Sequence, residues 1–224
     1  MRQNEQLPKS RGVGRPAIMS RSSIGEAALA ELDGISSTKV AKRLGVGQSS
    51  LYRHITDRAD LVRLAVDFGL ESQQWPEPHP DWREYLPQFA TAFWNFLDEH
   101  PGASQEIKLM RPSPNGLIKA ATKIAQDLMA LGFSAADANM AVDLVGHLTM
   151  DTMISEEIFR ARSSHGGLIR DEHRAAWSTQ KDPALATETL RAIDGGMFQL
   201  LLDRVKLLVD GFEFRLSQPG YPAN

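Results

Sequence analysis

The sequence contains no cysteine, and this absence excludes several kinds of chemistry at once. Without thiols the chain can form no disulfide, no thiolate metal site and no cysteine nucleophile. Long apolar runs are also missing, and the first residues are polar and basic without the apolar core of a signal peptide. We therefore expect a cytoplasmic protein that does not enter a membrane.

Catalytic motifs are equally scarce. The sequence has no G-x-S-x-G turn, no phosphate-binding glycine loop, no HExxH motif and no glycine fingerprint after a strand. A catalytic site assembled from distant residues would escape this search, but no residue pattern points to one. We predict that the protein is not an enzyme and that it uses no cofactor.

Strand signals are absent as well, because apolar residues recur at helical spacing along the chain. With 224 residues, 42% of them hydrophobic and 24% charged, the chain suits one or two soluble globular domains. Three closely spaced prolines, Pro76, Pro78 and Pro80, break the helical pattern near a domain boundary. We predict an all-α fold with a flexible basic arm (residues 1–19), an N-terminal domain (20–74) and a helical C-terminal domain (75–224).

The segment Val40–Ile55, VAKRLGVGQSSLYRHI, predicts two short helices joined by a tight turn. The first helix has an apolar edge at helical spacing, and Leu51 and Ile55 give the second an inward-facing pair. Gly45 lies where such a turn requires positive φ. This pattern is typical of a helix-turn-helix, in which the second helix enters the DNA major groove. An ordinary helical hairpin with a solvated face is the alternative.

The outward face of the second helix carries polar side chains that suit DNA. Gln48 can bond to both edge atoms of an adenine, and Arg53 can reach guanine or a phosphate. Arg58, at the start of the next helix, is a candidate phosphate contact, and Arg15 of the basic arm is a candidate for the minor groove. A frayed terminus explains Arg15 equally well. The full set of predicted DNA contacts is Arg15, Ser37, Thr38, Gln48, Ser49, Ser50, Tyr52, Arg53, His54 and Arg58.

Positive charge is concentrated at the same end of the chain. Residues 1–58 contain ten Lys or Arg against five Asp or Glu, a net charge of +5. Residues 59–224 contain fifteen against twenty-three, a net charge of −8. A basic head on an acidic body directs attraction for phosphates to one end, which favours DNA binding.

Over residues 20–68 the sequence resembles the TetR family of bacterial transcriptional regulators. The resemblance rests on SRSSIGEAALAELDG, ISSTKVAKRLGV, LYRHI and TDRADLVRLAVDF, taken in order. The C-terminal part is more loosely similar to the tetracycline-repressor subgroup, through Gly146–Thr149 (GHLT) and the pair Arg111-Pro112. The resemblance implies a DNA-binding head with Thr38 at a DNA-contacting position, a linking helix and a body that binds a ligand and forms a dimer.

Two long apolar helices are predicted in the body, over residues about 134–162 and about 197–215. The last is too apolar to face water, and together the two can form a self-complementary surface for a homodimer. Packing wholly within one subunit is the alternative. A dimer also suits the head, since two recognition helices related by a dyad read a palindromic duplex.

The body is rich in aromatic residues and methionines, and the resemblance implies that some of them line a cavity for a small molecule. An apolar or aromatic effector with a few polar contacts would suit such a cavity. His147 is a candidate for one such contact, and a histidine satisfied by a backbone carbonyl is the favoured alternative. Core packing is the alternative for each residue singly. The predicted ligand-binding residues are Phe89, Phe93, Trp94, Ile107, Met110, His147, Met150, Met153 and Trp177.

The chain departs from the tetracycline repressor where that protein binds its magnesium–drug complex. Ile107 stands at the position of a metal-binding histidine, Ser155 at that of a glutamate, and Phe89 at that of a drug-contacting asparagine. A magnesium–tetracycline complex is therefore not expected. Scattered surface residues explain Glu156, Glu157, His165 and His173 better than a metal site does, so we predict no metal.

Together these features predict a sequence-specific transcriptional regulator. We expect a repressor that binds a palindromic operator as a homodimer and is released by a small apolar or aromatic ligand. The alternative is an architectural or ligand-independent DNA-binding protein, which would bind without sequence preference and without a ligand cavity.

Overall fold

Eleven helices make up the part of the chain that the computed structural model describes, residues 19–221. In chain order they are α1 (Arg21–Leu29), α2 (Ser37–Leu44), α3 (Gln48–Leu51), α4 (Arg58–Ser72), α5 (Trp82–Glu99), α6 (Ala103–Leu109), α7 (Asn115–Ala130), α8 (Ala135–Arg160), α9 (Ile169–Ser178), α10 (Pro183–Gly195) and α11 (Met197–Leu216). These residues form no β-strand, and one isolated bridge joins Arg162 and Leu168. The predicted all-α fold is confirmed.

Short polar side chains begin several of these helices. At six helix starts a side-chain oxygen accepts a backbone N–H of the first turn, which satisfies a group that the helix itself leaves unpaired. The capping residues are Ser20 for α1, Ser36 for α2, Asp57 for α4, Asp81 for α5, Ser134 for α8 and Asp182 for α10.

Helix α4 joins the head (α1 to α3) to the body (α5 to α11). Glycines of α1 and α7 approach α4 so closely that neither position has room for a side chain. A Cβ atom added to Gly25 of α1 would lie 2.7 Å from the carbonyl oxygen of Leu64. A Cβ atom added to Gly116, in the first turn of α7, would lie 2.7 Å from the Cβ atom of Leu70. Only glycine fits either position without a shift of α4.

Helix α5 forms the centre of the body, where Phe89, Phe93 and Phe96 are fully buried. Tyr85 is buried on the same helix, and its hydroxyl donates to Oδ2 of Asp127 on α7 at 2.6 Å. Burial, together with the neighbouring carboxylate, raises the pKa of Tyr85 well above its usual value. The body is thus organised around an aromatic helix whose polar group is satisfied.

The proline-rich segment is fastened to the body rather than free. The indole N–H of Trp75 donates to the carbonyl oxygen of Leu70 at 3.2 Å. Its ring lies 5.8 Å from Phe89 and 5.9 Å from Phe93, measured between ring centroids. The predicted domain boundary near residue 75 stays a prediction, but the chain there adheres to both α4 and α5.

Two segments differ from what the sequence predicts. Apolar residues at Ile24, Ala28 and Leu32 predict a first helix to about Asp33, but α1 ends at Leu29 because the chain turns early to bury Leu32 and Ile35. Glycines and charged residues over about 163–173 predict a loop, but helix α9 occupies part of that segment. It buries no residue and is held by ion pairs from Arg170 and Arg174 to other helices, which local sequence does not reveal.

Replacing Gly25 with alanine should destabilise the protein by about 1–3 kcal/mol, because the new methyl group meets a backbone carbonyl that cannot rotate away. Gly146→Ala is the matched control, since a Cβ atom on this α8 glycine meets nothing within 4 Å. That substitution should leave stability unchanged or raise it by up to about 1 kcal/mol. Chemical denaturation of both variants measures the difference, and equal stabilities would contradict the close packing of α1 on α4.

Candidate functional site

The predicted helix pair of the head is present, and a glycine forms its hinge. Gly45 ends α2 with φ +68°, and the N–H of Val46 donates to the carbonyl oxygen of Ala41 at 3.0 Å across the turn. Leu51 and Ile55 are buried beneath the second helix, as their spacing predicted. The regular α-helix of the second element is short, Gln48–Leu51, and turns continue it toward Ile55.

Hydrogen bonds connect the start of α2 to the outward face of α3. The side-chain amide of Gln48 donates to Oγ of Ser37 at 2.6 Å. The same Oγ lies 3.1 Å from the hydroxyl of Tyr52, and either group can be the donor. These contacts hold Gln48 and Tyr52 side by side before any ligand arrives, so the polar surface is preorganised.

A second set of contacts braces the end of this helix pair. The guanidinium of Arg21 donates to the carbonyl oxygen of His54 and to Oδ1 of Asp60, both at 2.8 Å. Oδ2 of Asp60 accepts the backbone N–H of Thr56 at 3.1 Å. The chain after α3 is therefore fixed to α1 and to the first turn of α4.

The other residues predicted to contact DNA have different surroundings. Thr38, Ser49 and Arg53 are exposed beside Gln48 and Tyr52, while Ser50 and His54 are half-buried. Nη2 of Arg58 forms an ion pair of 2.8 Å with Oε1 of Glu106 on α6. The predicted phosphate contact of Arg58 stays a prediction, and a phosphate there would compete with this carboxylate. Arg15 and the rest of the predicted basic arm before residue 19 lie outside the described residues.

A cavity of about 460 Å³ lies between α5, α7 and α8 in the body. At its floor lie the rings of Phe89 and Phe93, which are almost fully covered. These rings are parallel within 3°, with centroids 6.3 Å apart, and Trp75 contacts both. Polar side chains stand around its rim. The cavity is lined by Phe89, Phe93, Leu117, Ile118, Ala121, Thr122, Ala125, Gln126, Met129, Asn139, Val142, Asp143, Gly146, His147 and Met150.

Four of the predicted ligand-binding residues line this cavity, namely Phe89, Phe93, His147 and Met150. None of the predicted ligand-binding residues lies on α7, although this helix supplies much of the cavity lining. Leu117, Ala121, Ala125 and Met129 follow one another at intervals of four residues, so a helical stripe was visible. Nothing in the sequence showed that this stripe faces a cavity rather than the core.

The other five predicted ligand-binding residues do not line this cavity. Trp94 packs against Phe198, with ring centroids 5.4 Å apart, and Ile107 is buried at the side of α6. Met110 lies beside a groove next to α4, and Met153 is buried in α8. The indole N–H of Trp177 donates to His173 on α9. For Trp94, Ile107 and Met153 the alternative of core packing describes their surroundings.

The first turn of α7 connects the cavity to the linking helix α4. Leu117 and Ile118 line the cavity, and the residue before them, Gly116, lies against Leu70 of α4. The backbone N–H of Gly116 also donates to Oδ1 of Asp67 at 3.3 Å. One turn of α7 therefore has the cavity on one side and α4 on the other.

Helices α8 and α11 present apolar side chains outward. Leu207 and Phe214 on α11 are 71% and 69% exposed, and Met140 and Ile158 on α8 are about half exposed. These side chains lie on the two helices for which the sequence predicts a dimer surface, and that surface stays a prediction.

An ion pair fixes these two helices to each other. Oδ1 of the buried Asp137 on α8 lies 2.7 Å from Nε of Arg215 on α11. Burial by itself would raise the pKa of Asp137. Hydrogen bonds from Tyr221, Arg215 and Ser134 outweigh burial and lower the pKa below its usual value.

The carboxylates considered for a metal site are engaged by other groups. Glu156 is buried and forms ion pairs with Arg160 and Arg170, both at 2.7 Å. Glu157 accepts the backbone N–H of Gly102 and the hydroxyl of Ser104. Within residues 19–221 no three His, Asp or Glu side chains are grouped so that they could hold a metal ion, and no helix there is long and apolar enough to cross a membrane.

Comparisons with known proteins agree with this arrangement. An HTH-type transcriptional regulator of Saccharopolyspora erythraea is 30% identical over 184 residues, which are 79% of this chain and 75% of that protein. The class D tetracycline repressor of Escherichia coli is 27% identical over 210 residues, 90% of this chain and 92% of that protein. No family model matches the chain.

Among solved structures, the TetR family protein ActR of Streptomyces coelicolor in complex with actinorhodin is similar in fold. The TM-score is 0.70 at 19% identity, over 90% of this chain and 100% of that chain. TetR from Acinetobacter baumannii matches with a TM-score of 0.64 at 21% identity, over 89% and 100% of the two chains. The likeness covers head and body together.

Proposed function

The chain belongs to the TetR family of transcriptional regulators, and from that premise we propose a repressor that binds a palindromic operator as a homodimer and is released by a small molecule. Regulators of this family are not enzymes. The observation that carries the proposal is the preorganised surface of Ser37, Gln48 and Tyr52, which the rest of the described chain leaves uncovered.

The surface around α3 suits direct reading of bases. Gln48 keeps its carbonyl oxygen and one amide hydrogen free while its other hydrogen is held by Ser37. Arg53 projects beside it with no ion-pair partner among residues 19–221. A long cation without a partner next to a fixed amide suits one base contact and one phosphate or guanine contact.

A dimer makes this short surface sufficient. One recognition helix of this length covers only a few base pairs, whereas two related by a dyad cover half-sites about one turn of DNA apart. The exposed side chains Met140, Ile158, Leu207 and Phe214 supply an apolar surface for this dimer on α8 and α11. A two-fold axis places the same patch on both subunits, so one pair of helices is enough.

The effector acts, in this proposal, through the first turn of α7. A molecule in the cavity presses on Leu117 and Ile118, and the adjoining Gly116 has no room to absorb the movement because it lies against Leu70. Helix α4 then shifts with the attached head, which changes the spacing of the two recognition helices. The ligand changes DNA affinity only by its preference for one of the two arrangements.

Selection of genomic fragments by the purified full chain tests the DNA-binding part. We expect palindromic sites whose binding weakens steeply with salt, because phosphate contacts release counterions.

Gln48→Ala should relax the preference at one base position by about 1–3 kcal/mol. Arg53→Ala should weaken operator binding while the dimer stays intact. Arg191→Ala is the control, since it removes one exposed positive charge on α10, far from α3 in the chain.

Binding without sequence preference would contradict this part of the proposal and favour an architectural protein. Unaltered base preference in the Gln48→Ala variant would exclude Gln48 from base reading.

Gly116→Ala tests the route from cavity to head. The added methyl group should push α7 and α4 apart and imitate the ligand-bound arrangement, so operator affinity should fall about tenfold without ligand, or about 1.4 kcal/mol. Gly195→Ala at the end of α10, outside the cavity lining and with nothing within 4 Å of the added Cβ atom, should leave operator affinity unchanged. Fluorescence anisotropy with a labelled operator measures both variants. Wild-type affinity in a folded Gly116→Ala dimer would show that α7 does not control the head.

A further inference from the structure

The apolar lining of the cavity suits an aromatic body. The parallel and almost fully covered rings of Phe89 and Phe93 lie at its floor, and Met129, Val142 and Met150 complete the apolar surface. Aromatic rings stack or meet edge to face on such a floor, and methionine sulfur adds favourable contacts at ring edges. A volume of about 460 Å³ is within the range of pockets for small organic molecules.

The cavity lining carries a negative charge and no positive one. Among the residues that line the cavity, Asp143 alone carries a formal charge, and no Lys or Arg is present. The nearby lysines of α7 are engaged elsewhere, Lys119 with Glu71 and Lys123 with Asp127. A carboxylate or sulfonate entering here would lose water, gain no cationic partner and approach Asp143. Burial of an unpaired anion is costly, so anionic ligands are disfavoured.

The position of Asp143 at the rim suits a cation. Its carboxylate lies 3.3 Å from Nδ1 of His147, one helical turn further along α8, and both side chains are more than half exposed. The remaining carboxylate lone pairs are available to a donor from a ligand. Asn139 on the preceding turn and Gln126 across on α7 can bond to neutral groups of the same molecule.

Resting on the ligand-dependent function proposed above, we propose that the effector is an aromatic cation. Its ring system lies in the apolar cavity between α7 and α8, and its ammonium or amidinium group bonds to Asp143 at the rim. Since Asp143 is partly exposed, the charge contributes selectivity rather than most of the affinity. We expect a preference of about tenfold over an anion of the same shape.

Calorimetric titration of the full-length protein with 2-naphthylmethylamine and with 2-naphthoate tests this inference. The two molecules share the ring system and differ in the sign of the charge at neutral pH. The amine should bind at least tenfold more tightly than the carboxylate. Equal binding, tighter binding of the carboxylate or no binding of the amine would overturn the inference.

Two kinds of variant locate the effect. Asp143→Asn should abolish the preference for the amine. Asp151→Asn, which removes an exposed carboxylate two turns along α8 and outside the lining, should retain the preference.

Ala125→Trp should fill the cavity and remove binding of the amine. Ala130→Trp, on the exposed side of α7, should leave binding of the amine intact. Amine binding that survives Ala125→Trp, or a preference that survives Asp143→Asn, would contradict the inference.

The genomic-fragment selection, done without any naphthalene compound, separates this inference from the proposed function. Palindromic sites recovered by a protein that shows no preference for the amine would leave the DNA-binding regulator standing and remove only the aromatic cation. A protein that binds the amine through Asp143 but recovers no palindromic site would support the aromatic cation as ligand and remove the proposed DNA-binding function.

Discussion

The close packing of helix α4 is the constraint on which the rest of this structure depends. On the head side the backbone of α4 touches Gly25, and on the body side Leu70 touches Gly116. Neither contact leaves space for a side chain, so α4 cannot slide past one neighbour without moving it or being moved by it. Interfaces packed in this way have few alternative arrangements, which is what a two-state regulator requires.

Polar contacts also fasten the first half of the same helix to the body. Arg58 pairs with Glu106 of α6, and Arg63 donates to the carbonyl oxygens of Arg111 and Pro112. These exposed groups contribute little stability individually. They determine instead how α4 is oriented against the body, through partners in and just after α6.

The sequence predicted those parts of the molecule that depend on local rules. Gly45 at positive φ and the buried pair Leu51 and Ile55 follow from spacing and residue type, and both features are present. The two long apolar helices predicted in the body are present as α8 and α11.

The features that depend on distant neighbours could not be predicted in this way. Helix α9 is held by Glu156 and Asp194 from other helices, and Arg58 finds its partner 48 residues away. The cavity required knowledge of which face of α7 meets α8, and that is a property of packing. Apolar residues at helical spacing look alike whether they line a cavity or fill a core, as Trp94 and Met153 illustrate.

The central claim is that two copies of the chain hold their α3 surfaces at the spacing of one turn of DNA. Because the chain has no cysteine, Ser49→Cys introduces a single spin label per subunit beside Gln48. Double electron–electron resonance on the free protein should give a distance near about 34–36 Å between the two labels. A monomer without dipolar coupling, or labels separated far beyond one turn of DNA, would contradict the account.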